Sequence, residues 1–124
     1  MIESKLKTFY ADIYLGLQEG YGEGLIHTSE NVKNICQKYV EKGLCVTLTL
    51  TEFIYTGGRE PGVIIGLINY PRFPSSMGEV LSEANNLAHI LMEELKQFRC
   101  TIVTPQKTYL LSNDNMPEEF QDKS

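Results

Sequence analysis

The sequence predicts an α+β protein, an antiparallel sheet with two helices on one face. Three observations predict it. Residues 10–17 and 44–55 alternate apolar and polar side chains with the period of a half-buried strand. Residues 29–42 and 77–96 repeat apolar side chains at helical spacing, each behind a capping residue. Between and beyond them, further apolar runs bounded by Gly and Pro supply the remaining strands.

Residues 1–9 fit either a helical turn or a strand start. The first strand, YADIYLGL, sets Ala11, Ile13, Leu15 and Leu17 against Tyr10, Asp12, Tyr14 and Gly16. Gln18 to Gly24 places glycines at alternate positions, but no Gly-Lys-Ser/Thr follows and the spacing is not that of a dinucleotide fingerprint, so it reads as a loop. Thr28 caps a helix whose Val32, Ile35, Cys36, Tyr39 and Val40 share a face, and Gly43 ends it. In LCVTLTLTEFIY, Val46, Leu48, Leu50 and Ile54 face the core, with Thr47, Thr49, Thr51, Phe53 and Tyr55 opposite. Thr56-Gly57-Gly58 turns the chain, and GVIIGLINY at 62–70 is apolar enough for a strand buried on both faces in the middle of the sheet.

Pro71-Arg72-Phe73-Pro74 leads to Ser76 and Glu79, which have capping-box spacing for a helix from Met77 to Lys96 or Gln97. Its buried stripe is Val80, Ala84, Leu87, Ala88, Leu91 and Leu95, and Gly78 in its first turn suggests close approach by a neighbour. Residues 98–104 and 107–111 close the domain as a hairpin through Pro105-Gln106. The order is the ferredoxin-like β-α-β-β-α-β with an additional C-terminal strand. Residues 1–113 form one α+β ligand-binding domain, and 114–124 a flexible acidic tail. The Thr- and Tyr-rich face without helices predicts a homodimer or higher homo-oligomer.

The formal charge of −5 argues against general duplex binding, and no run is long enough to span a membrane, so the expectation is a cytoplasmic protein. Cys36, Cys45 and Cys100 lack CxxC spacing and read as reduced, buried thiols. No metal set, cofactor motif or catalytic triad is apparent, so neither a metal nor a cofactor is expected.

The candidate ligand-binding residues combine cations, rings and amides. Arg72 and Phe73 precede a helix start, where a guanidinium and an aromatic face suit a phosphate and a base. The plainer reading is a rigid connection in which Phe73 plugs the helix end and Arg72 is solvated. Asn86 on the second helix, Arg99, Lys107 and Tyr109 on the last strands, and Arg59 at the hairpin tip supply further contacts of the same kinds.

The stretches IYLGL at 13–17, GLCVTLT at 43–49, EPGVIIGLINYPRFP at 60–74, AHILMEEL, and TIVTPQKTYLLSND up to residue 114 resemble phage-encoded anti-Thoeris sponge proteins of the first type. The resemblance implies a non-enzymatic oligomer in the cytoplasm of an infected bacterium. Its ligand would be a small cyclic nucleotide, a cyclic ADP-ribose isomer or, in some members, a cyclic oligonucleotide. It transfers no ligand residue. Two other readings stand beside it: a regulatory oligomer binding an effector between subunits, and a small hydrolase or nuclease using His27 or His89 with Glu52.

Overall fold

The computed structural model describes residues 1–20 and 24–113. The elements are β1 (Tyr10–Gly16), α1 (Ser29–Val40), β2 (Val46–Tyr55), β3 (Gly58–Ile68), α2 (Met77–Glu94), β4 (Arg99–Val103) and β5 (Thr108–Ser112). The strands form one sheet in the order β2-β3-β1-β4-β5, every neighbouring pair antiparallel. The α+β class and the element order are as the periodicity predicts. The tail at 114–124 and Tyr21, Gly22 and Glu23 of the glycine loop lie outside the described residues.

Both helices lie on one face. Ala11, Ile13 and Leu15 of β1, Val63, Ile65 and Leu67 of β3, and Cys100 and Ile102 of β4 point into the core they cover. From α2, Ala84, Leu87, Ala88 and Leu91 are fully buried, and the two alanines let the helix axis settle close to β1. At about 25 cal/mol per Å² of apolar surface, this two-layer core is the main source of stability.

The helix ends follow local chemistry. Thr28 accepts from the Asn31 amide at 3.1 Å to start α1, and Gly43, at φ 107°, receives the chain as it leaves. Ser76 and Glu79 exchange both bonds of a capping box. At the other end of α2, the Gln97 amide donates to the Met92 carbonyl and the Lys96 amide to that of Glu93, with Lys96 left-handed at φ 50°. This is a Schellman stop with lysine in the place glycine usually takes.

Several expectations change. The middle strand is β1, and β3 stands beside it with Ile64 half-buried. β3 also begins at Gly58, so Arg59, Glu60 and Pro61 are strand residues paired with β2. Arg59, expected at the hairpin tip, is thus on its arm, because the β2 ladder carries through from Gly58. Cys45 is exposed, while burial raises the Cys36 thiol to about 11 and the Cys100 thiol to about 12. His89 is exposed, and a Cβ on Gly78 would meet only Ser76 Oγ, at 4.0 Å, so nothing approaches that glycine closely.

Candidate functional site

The face without helices gathers polar and aromatic side chains. Strand alternation brings Tyr10, Asp12, Tyr14 and Gly16 of β1 beside Gly62, Ile64, Gly66 and Ile68 of β3, with Thr47, Thr49, Thr51, Phe53 and Tyr55 of β2 on the far side. The threonine and aromatic face read from the sequence is therefore present. The β1–β4 register adds Thr101 and Val103, and its continuation puts Arg99 level with Gly16.

Glycines carve this face. Gly16 and Gly62 are register partners, and the Phe53 ring occupies the space that a Gly62 side chain would take. A Cβ on Gly16 would lie 3.0 Å from Gln97 Oε1 and 3.2 and 3.3 Å from the two Glu60 carboxylate oxygens. One floor of bare backbone thus gathers a ring, a carboxylate and an amide oxygen. Burial raises the Glu60 carboxyl above its ordinary value.

A second notch lies over Gly66, where Thr47 Oγ1 and Asp12 Oδ1 converge. Burial raises Asp12 as well. The two notches, at the Gly16–Gly62 and Asp12–Gly66 pairs, are four residues apart along β3, roughly 13 Å, with the Tyr14–Ile64 pair between them. The two carboxylates therefore act at separate places and do not form an acid–base dyad. A partly desolvated carboxylate over a glycine floor can hold a cation or accept a proton, and the adjoining ring offers a planar platform.

The residues singled out from sequence are not gathered into one site. Arg59 is on the hairpin arm, where it pairs with Glu52 at 3.7 Å. Arg72 is exposed in the turn after β3, roughly 30 Å along the strand from Arg59. Phe73 stacks on Tyr70 with centroids 6.1 Å apart, and its amide donates to the Tyr70 carbonyl.

That corner is stitched by Asn69, whose side chain donates to the Lys7 carbonyl and accepts from the Ser75 amide. The helix start beyond it is already filled by Glu79, held below its ordinary value by the hydrogen bond from the Ser76 amide. An incoming phosphate would meet that carboxylate.

Asn86 is exposed on α2. Lys107 sits in the β4–β5 turn, tied by its backbone to Thr104. Tyr109 is on the helix side of β5, lining a cavity with Leu81 and Ile102. Of the seven, strand alternation places only Arg99 on the helix-free face near the glycine floor.

The residues proposed for hydrolysis part in the same way. His27 has a carboxylate partner that its sequence neighbourhood hides: Nε2 stands 3.3 Å from Glu19, because the Gln18–Ile26 bridge folds the loop back. Its Nδ1 is 3.3 Å from Asn31 Nδ2. Glu52 pairs with Arg59 instead. Among the described residues no three His, Cys, Asp or Glu side chains converge as a metal site would need, and no helix is long and apolar enough to cross a membrane.

Sequence reasoning missed Glu60, Phe53 and Gln97 as a group. The available signal was Gly62 and Gly66, four apart and therefore on one face of a strand, which marks a place where side chains have been removed from a sheet.

No family model and no curated protein matches this chain. Two solved chains share its fold. One is phage SAM lyase in complex with S-methyl-5′-thioadenosine, at TM-score 0.75 and 20% identity over 94% of this chain and all of that one. The other is phage SAM lyase in the apo state, at TM-score 0.74 and 21% identity over the same shares. At such identities the likeness establishes the fold. It also corrects one expectation: a binding protein that performs no chemistry was anticipated, whereas the solved chains with this arrangement are an enzyme. Capture without reaction is set aside.

Proposed function

We propose that this chain is a phage lyase acting on an adenosyl sulfonium of the S-adenosylmethionine type, and that its site is the glycine floor bearing Glu60, Phe53 and Arg99. The observation that carries the reading is the Glu60 carboxylate held over Gly16 beside the Phe53 ring. It is supported by a fold solved as a SAM lyase holding an adenosine thioether.

A sulfonium needs no acid to leave. When its carbon–sulfur bond breaks, the electron pair goes to sulfur and the product is a neutral thioether. The carbon that loses sulfur is satisfied within the substrate, by bonding to the substrate's own carboxylate or by losing a neighbouring proton to form a double bond, so no water is consumed. Positive charge fades as the bond breaks, and a partly desolvated floor then favours the transition state over the cationic ground state. Phe53 offers the platform for the adenine, Glu60 attracts the cationic end, and Arg99, one strand on, suits a carboxylate.

The biological role this supports is anti-defence, through removal of a small adenosine-bearing host molecule. A second copy of the chain pairs along the β2 edge in this reading. β2 is an edge strand of ten residues without Lys, Arg or Pro, and Leu50 and Ile54 on its other face are 61% and 77% exposed. Such an edge invites pairing.

The test is incubation of the purified protein with S-adenosylmethionine and chromatography of the products. S-methyl-5′-thioadenosine appearing as substrate disappears is expected, over many turnovers per chain. A cyclic ADP-ribose isomer, the ligand class that the resemblance implies, belongs in the same assay as a second substrate. Unaltered S-adenosylmethionine after prolonged incubation overturns the proposal.

A further inference from the structure

Gln97 has no role in the reading so far, yet it is held more firmly than a surface glutamine has reason to be. Its backbone is set by the Schellman stop of α2. The residue is only 7% exposed, and Nε2 donates to the carbonyls of Gln18 at 2.8 Å and Leu95 at 3.1 Å. Both amide protons are thereby committed, which fixes the orientation of the group. Oε1 accepts no hydrogen bond among the described residues and is directed to the point over Gly16 on which the Glu60 oxygens also close.

We infer that Glu60 and Gln97 form an acceptor-only notch over Gly16 that takes a primary ammonium group, and that it selects an amino-acid-bearing substrate over adenosine compounds lacking one. An ammonium brings three N–H donors and a charge, and the notch offers two carboxylate oxygens and one amide oxygen with no donor among them. A phosphate oxygen set among these three atoms would find only acceptors, so the notch repels a phosphate. Gly16 is the third part of the device: a side chain there would crowd all three oxygens, so a bare backbone leaves them open to a ligand. The inference rests on the proposed site and names the part of the substrate that each residue reads.

Calorimetry compares S-adenosylmethionine with its analogue lacking the α-amino group. The analogue should bind about 10- to 100-fold more weakly, the range expected for charge-assisted hydrogen bonds. Glu60→Gln and Gly16→Ala should each erase most of that difference. Equal affinity for the two compounds overturns the notch while leaving turnover, and so the proposed function, intact.

A second measurement stands free of the substrate. Propylammonium at millimolar concentration should shift the Gln97 side-chain amide resonances saturably in the wild-type protein, and tetramethylammonium, a cation without N–H, should not. No shift with propylammonium, or an equal shift with both, overturns the inference even if S-adenosylmethionine proves not to be a substrate.

Discussion

Tyr39 of α1 and Lys42, just beyond that helix, meet on one carboxylate of α2. The Tyr39 hydroxyl donates to Glu83 Oε2 at 2.7 Å, and Lys42 Nζ reaches the same oxygen at 2.7 Å while lying 4.0 Å from the centroid of the Tyr39 ring. This three-residue contact is the polar tie between the helices. Burial alone would raise Glu83, but the bonds from Lys42 and Tyr39 together outweigh it and the carboxyl sits below its ordinary value of 4.5.

A lowered carboxyl contributes stability that is present above its unfolded value and lost as pH falls through the folded one. Lys42, raised above 10.5 by its bond to Glu83, contributes stability that is full below 10.5 and lost at higher pH. Glu83→Gln should lower Tm at neutral pH by about 3–5 °C, as expected for a loss near 1 kcal/mol. It should also flatten the acid limb of the Tm–pH curve below about pH 4.5. Thermal melts from pH 3 to 9 check this, and an unchanged acid limb would mean that the tie contributes nothing.

Glu60 behaves in the opposite sense. Its carboxyl is raised, so ionising it in the folded protein is disfavoured and stability falls as pH rises through the shifted value. Glu60→Gln should leave Tm unchanged or higher at neutral pH, while kcat/KM for S-adenosylmethionine drops by about 10- to 100-fold. Loss of both stability and activity would identify Glu60 as structural.

Gly78 has open space around it in the first turn of α2. Gly78→Ala should stabilise the protein by about 0.5–1 kcal/mol in urea titration and leave turnover unaffected.

Ile65 is fully buried, with Ile13 and Leu48 as its register partners. Ile65→Asp should abolish cooperative unfolding, because an unpaired charge in that layer costs about 3–5 kcal/mol or more. A sharp thermal transition in this variant would refute the placement of β3.

If a second copy pairs along the β2 edge, light scattering should give a mass that is a multiple of the chain's 14.1 kDa. Leu50→Lys with Ile54→Lys should return the monomer with unchanged circular dichroism. A wild-type monomer at high concentration would remove the second copy from the reading.

The order of elements was legible because each carries local signals: Thr28, Gly43 and the Ser76–Glu79 box punctuate the helices, and alternation sorts the strand faces. The ferredoxin-like arrangement carries the observed β2-β3-β1-β4 order with it, but local periodicity did not show that β1, and not β3, is the centre of the five strands. The candidate site was harder still. Arg72 and Phe73 have the right chemistry beside a helix start, but Asn69 and Glu79 use that corner for packing and capping. Gln97 offers no sequence signal at all, because its meaning comes from two carbonyls and a glycine that the fold brings to it.

Residues 16, 60 and 97 come from three separated parts of the chain, and β4, which follows Gln97, pairs with the strand made first. A nascent chain still missing its last quarter holds Gly16 and Glu60 but lacks Gln97 and the β4 strand that flanks them. If the proposed lyase reading holds, products truncated before residue 97 should be inert toward S-adenosylmethionine, and activity should begin only once nearly the entire polypeptide has been delivered.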